Sequence, residues 1–245
     1  MRRFAAHAGL AAFLSMLAVS SSLPQSKTDK PDKKQSVTPA SPALFVEEKG
    51  HFRIVLDGQP AGMEEFQIAQ SGKGWVARGS SEVPAPSGGN AKVSGRLELT
   101  PDGAPVHYEW SSNLPKKSSA TIQFSGGTAK MELRLEGLPP FPQEFSFESA
   151  RVLILDNNLY HHYAILARLF DWKAKGAQTF PVLIPQDGTP GNIVVEYVGG
   201  KVVEGVKLEM LRVRSTDLEL ELDCDGQRLV RIFVPSSKVE ILREP

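Results

Sequence analysis

The sequence predicts a mainly β protein, a curved antiparallel meander or half-barrel/sandwich with one helix packed on the sheet. Three observations predict it. From Phe52 nearly to the C-terminus apolar residues alternate with polar ones, the period of a half-buried strand. Short turn signals built from Gly, Asp and Asn separate these runs. One stretch alone, through Leu159, Tyr163, Leu166 and Phe170, changes to three- and four-residue spacing.

The elements follow in order along the chain. Met1-Arg2-Arg3 is a short positive segment, and residues 4–19 form an uncharged run rich in Ala and Leu. That run is shorter than the ~20 apolar residues a membrane-spanning helix needs. Ala18-Val19-Ser20 supplies small residues at the spacing a signal peptidase reads, so residues 1–22 are expected to be a cleaved signal peptide and the mature protein to have no transmembrane helix. Residues 23–43 contain four lysines, two aspartates, three prolines between Ser26 and Ala43, and little apolar surface to bury. They read as a disordered linker. Residues 44–245 then form a single β-rich domain.

Within that domain, Phe52, Ile54 and Leu56 mark one strand and Phe66 and Ile68 the next. The alternation continues through Val93, Leu97 and Leu99, through Tyr108 and Trp110, and through Ile122 and Phe124. Met131, Leu133 and Leu135, then Phe145 and Phe147, complete this part of the sheet. Turns are expected at Asp57-Gly58, Ser87-Gly88-Gly89-Asn90, Asp102-Gly103, Gly126-Gly127, Asp187-Gly188, Gly199-Gly200 and Asp225-Gly226. Val152 to Leu155 is a continuous apolar run suited to a strand buried on both faces. Asp156-Asn157-Asn158 offers N-cap side chains for a helix over 159–173, and Gly176 ends the pattern. Packed on the concave face of the sheet, this helix would either close a cavity or fill it. Near the end, a three-residue Cys224-Asp225-Gly226 loop is expected to set Leu220 opposite Val230 and Glu219 opposite Arg231, keeping one face apolar.

Composition narrows the function. The 245 residues carry 28 basic and 28 acidic side chains. Six of the basic and two of the acidic ones precede Leu44, so the folded part is mildly acidic, with 22 against 26. Nucleic-acid partners are excluded on that balance, since phosphate binding draws on an excess of Lys and Arg. The single cysteine, Cys224, excludes an intrachain disulfide and a cysteine-cluster zinc site. A turn position between acidic residues would raise its thiol pKa and make it a poor nucleophile.

Motifs that carry chemistry are scarce. Gly72-Lys73-Gly74-Trp75-Val76-Ala77 matches a dinucleotide fingerprint in letters but leads into a strand, and so reads as a hairpin turn. No Gly-x-Ser-x-Gly, Walker loop or His-Glu-x-x-His is present. The Asp217-Glu219-Glu221-Asp223 ladder reads as a solvated strand face with cross-strand arginines, because carboxylates on one strand splay where a calcium loop would wrap its ion. His161 and His162 are adjacent on the predicted helix and point roughly 100° apart, which does not suit one metal ion. One of the pair is expected to face solvent and the other to line the helix–sheet interface.

His51 to Ile54 and Asp57 to Phe66, with their paired glycines and acidic-aromatic ending, resemble the opening of secreted bacterial β-rich families known only as domains of unknown function. Val202 to Gly205, Leu218 to Asp223 and Leu229 to Ile232 are similar to the closing strands of those families. The resemblance implies a periplasmic, mainly antiparallel fold without established activity. Those families often carry a cysteine near the strand that follows the Gly-containing turn, where this chain has Val206-Lys207.

The functional expectation is therefore an exported, non-catalytic protein, secreted or periplasmic, that binds a lipid or other apolar ligand or a cell-envelope protein. Tyr160, His161, Tyr163, Leu166, Phe170 and Trp110 are the expected ligand-binding residues. No catalytic residue, metal site or cofactor is expected. The alternatives are an interaction scaffold with a filled core, and a hydrolase using His161 or His162 with a carboxylate or a metal.

Overall fold

The computed structural model describes residues 43–84, 88–113, 116–216 and 218–244. The predicted signal peptide, the linker up to residue 42 and Asp217 lie outside the described residues. The chain first runs as an antiparallel meander of eight strands: β1 (Glu48–Leu56), β2 (Gln59–Ser71), β3 (Gly74–Pro84), β4 (Asn90–Leu99), β5 (Pro105–Ser112), β6 (Ser118–Ser125), β7 (Thr128–Leu135) and β8 (Phe141–Ser146). A second group follows: β9 (Leu153–Ile154), α1 (His161–Leu169), β10 (Gln178–Ile184), β11 (Thr189–Val203), β12 (Val206–Arg214), β13 (Glu219–Asp225), β14 (Arg228–Val234) and β15 (Val239–Arg243).

All fifteen strands belong to one sheet that does not close on itself, with β8 at one edge and β9 at the other. The two groups join where β15 pairs antiparallel with β1, setting Ile54 opposite Ile241. Every pairing is antiparallel except β9 with β10, for which α1 serves as the crossover. This is the mainly β architecture that the alternation predicts, with a single helix among the described residues. Val152, Leu153, Ile154 and Leu155 are all buried, as an edge strand enclosed by a helix crossover requires.

The helix occupies the hollow of the sheet. Every α1 residue except Arg168 is buried, and a helix apolar on nearly all sides must be surrounded. It packs against β9 and β14, while His161 and Leu159 meet β3 and β4 at Gly79 and Gly95. One continuous core, including Phe52, Ile68, Leu97, Leu166, Leu211 and Leu222, runs through both strand groups.

Several local expectations change. The helix spans nine residues, starting at His161 and ending at Leu169. Gly199-Gly200 lies inside β11 at a bulge opposite Met210 and Glu209, and the turn falls at Glu204-Gly205, where both residues have positive φ. In the β13–β14 hairpin the turn is Gly226-Gln227, with Asp225 opposite Arg228 and Leu222 opposite Ile232. A bulge between Asp223 and Cys224 absorbs the change of parity, so Leu229 reaches the core where Val230 was expected. Arg231 consequently faces Asp223, at 3.2 Å, and not Glu219. Asp223 is buried beneath Arg231 and Lys201, the latter at 2.8 Å, so the acidic ladder is not uniformly solvated. Cys224 is buried in β13, and burial, ahead of the neighbouring Asp223, pushes its thiol up to about 12.

Candidate functional site

Two connected features meet at the start of α1: a buried polar cluster and an apolar cavity. The cluster begins with Glu64. On β2 the side chains of Glu64, Phe66 and Ile68 share the inward face, so strand alternation itself carries a carboxyl group into the core. Its target is the unsatisfied end of the helix. Tyr160, at the N-cap position, makes no capping side-chain hydrogen bond. Instead Glu64 Oε2 accepts from the backbone N–H groups of Tyr160 at 2.8 Å and His161 at 3.2 Å. A strand residue distant in sequence thus caps the helix, satisfying two of its orphan donors.

Glu64 Oε1 lies 2.6 Å from Nδ1 of His161. Burial pushes the Glu64 carboxyl up to about 8 and the His161 imidazole down to about 3. Both shifts favour a neutral pair, in which the Glu64 carboxyl donates its proton to Nδ1 and His161 carries its own hydrogen on Nε2. The ring stacks on Phe66 at 6.0 Å and meets His162 edge-on at 4.4 Å. His162 is also buried, contrary to the expectation that one histidine would face solvent. Its Nδ1 accepts from the N–H of Asp156 at 3.3 Å, and burial, reinforced by His161, depresses its pKa. Neither Nε2 has a hydrogen-bond partner among the described residues.

The predicted N-cap residue Asp156 serves a different purpose. Its Oδ1 accepts from the N–H of Asn158 at 3.0 Å, and its Oδ2 accepts from the Tyr108 hydroxyl at 2.7 Å and from the Gln186 amide. Burial raises its pKa to about 6, against those hydrogen bonds. Gly79 and Gly95, paired across β3 and β4, make the room. A Cβ on Gly79 would stand 2.4 Å from His161 Cε1, and one on Gly95 would stand 2.5 Å from the Leu159 side chain.

Beside the cluster opens a cavity of about 670 Å³, bounded by residues of β10, β11, β13, β14 and β15, by the segments that follow β9 and β12, and by the start of α1. Leu155, Val182, Ile193, Leu220, Ile232 and Ile241 supply apolar wall, and Asp156, Tyr160 and Tyr163 form a polar corner. A second depression, of about 760 Å³, is lined by polar residues that include Lys92, Ser111, Asn113, Lys117 and Arg134.

The structure therefore brings Tyr160 and Tyr163 together at the cavity and places His161 next to it in the cluster. Leu166 is fully buried in the core, and Phe170 packs at 5.2 Å from Trp172. Trp110, on β5, belongs to the core, with its indole nitrogen buried and without a hydrogen-bond partner among the described residues. None of these three lines the cavity. Glu64 and Asp156 are site residues that motif reasoning overlooks. The parity set by Phe66 and Ile68 already placed Glu64 inward. As a dyad, Glu64–His161 resembles a carboxylate-oriented base, but both side chains are wholly enclosed, so the pair fastens the helix to the sheet. Among the described residues no three His, Cys, Asp or Glu side chains are grouped to hold a metal ion, and no helix is long and apolar enough to cross a membrane.

No protein-family model matches the sequence, and no curated protein matches it. Solved structures do resemble it. A β-barrel-like protein of the domain of unknown function DUF1849 from Brucella abortus superposes with a TM-score of 0.52 at 9% identity, covering 81% of this chain and 96% of that one. A DUF1089 family protein from Pseudomonas aeruginosa gives 0.46 at 10% identity, covering 71% and 90% respectively. At these identities the likeness is one of fold. The chain is thus similar in fold to the β-barrel-like DUF1849 protein, a bacterial domain of unknown function.

Proposed function

We propose that this chain is an exported, non-catalytic protein that holds a small apolar ligand in the cavity bordered by the start of α1, β10, β11 and β13 to β15. The cavity carries the reading. Its volume of about 670 Å³ lies within the roughly 300–1,000 Å³ of small-molecule pockets, and apolar walls with a few convergent polar groups are what such pockets present. The helix serves as one wall. Export rests on the N-terminal signal, and an envelope location would place apolar ligands within reach.

Gly191 supplies the test. It lines the cavity, it pairs with the cavity residue Val182, and a Cβ there meets nothing closer than that valine's methyl at 4.0 Å. Gly191→Trp therefore fills the cavity with little disturbance to the fold. Nile red is expected to bind the wild-type protein with enhanced fluorescence and to lose that signal with Gly191→Trp at unchanged melting temperature. Equal or absent fluorescence in both proteins would favour a scaffold with no ligand.

A further inference from the structure

We propose that the cavity takes amphiphiles whose polar end is uncharged or cationic and turns away carboxylates and phosphates, an inference that rests on the cavity being a ligand site. The lining carries two acidic side chains, Asp156 and Asp187, and among its described residues no Lys, Arg or His. The cations nearest in sequence are turned to other partners. Arg214, next to the lining residue Ser215, pairs with Glu196 at 3.0 Å, and Lys238, next to Ser237, pairs with Asp57 at 3.1 Å. Asp156 itself is held by Tyr108, Gln186 and Asn158, all neutral donors, so no cation offsets its charge.

An anionic head drawn into this corner would meet that carboxylate in a medium of low dielectric, where like charges repel far more strongly than in water. An alcohol or ammonium meets complementary groups. Tyr160 and Tyr163 line the same corner. Tyr163 is about nine-tenths buried. Each hydroxyl can donate to or accept from a ligand head. Both are held protonated chiefly by burial, which pushes Tyr160 up to about 12, and Asp156 adds a smaller push in the same direction.

Dodecylamine, dodecanol and dodecanoate share one alkyl chain and differ in the head, so displacement of Nile red at neutral pH separates the possibilities. The amine and the alcohol are expected to displace the dye, with dodecanoate weaker by about tenfold or more. Asp156→Asn is expected to narrow that gap. Ser237→Lys, at an exposed lining position in the turn between β14 and β15 that puts no core packing at risk, is expected to strengthen dodecanoate binding by about tenfold. Dodecanoate matching the alcohol on the wild-type protein, or no response to Ser237→Lys, would overturn the inference while leaving the cavity as a ligand site. If Nile red and all three amphiphiles fail to bind, the ligand-site reading falls and this inference with it.

Discussion

At Glu64 a carboxyl group occupies a position that strand alternation reserves for an apolar side chain, and its protonation therefore becomes part of the fold's stability. The carboxyl has an ordinary value of 4.5 and a folded value of about 8. Between these values the folded protein keeps a proton that the unfolded chain has lost, so stability falls as pH rises through this window. The buried histidines act in the opposite sense, since they stay neutral when folded and titrate near 6.5 when unfolded. Their contribution is complete above 6.5, and Asp156 has by then passed its folded value of about 6. From pH 6.5 to about 8 the fall belongs to Glu64. Glu64→Gln imitates the protonated acid, so the variant is expected to show a flat melting temperature across that interval where the wild type declines. An identical slope in both proteins would mean that Glu64 is already ionised. Glu64 was legible from parity with Phe66 and Ile68; its partner was not, because nothing local ties a strand residue to a helix start 97 positions away.

At the scale of elements, the helix is seated by a notch as much as by apolar burial. Its first histidine stands against Gly79, with no room for a Cβ. Gly79→Ala is expected to force the helix or the strand to shift, at a cost of ~1–3 kcal/mol typical of overpacking, read as a lower denaturant midpoint. Gly191→Ala, where a Cβ has space, serves as the control and should leave the midpoint unchanged. The helix was legible from the spacing of Leu159, Tyr163, Leu166 and Phe170, and the edge strand from Val152 to Leu155. Its cap was misplaced because Asp156 binds Tyr108 and Gln186 in space. The β13–β14 register failed for a similar reason: a bulge changes parity without a residue type that announces it.

For the whole molecule, the local meander was readable strand by strand, since short turns make sequence neighbours into spatial neighbours. The pairing of β1 with β15 was not, because it joins the two ends of the domain and depends on the curvature of the full sheet. That pairing brings the two strand groups around one helix and leaves the cavity beside it. Emptiness of this kind cannot be counted from apolar residues alone: Leu166 and Phe170 fill the core while Tyr160 and Tyr163 border open space. Native mass spectrometry of the protein, mixed with dodecanol and measured beside Gly191→Trp, tests the cavity most directly. One bound dodecanol is expected on the wild-type protein and none on the variant, whereas two ligand-free spectra, or equal uptake by both, would contradict a ligand site in this cavity.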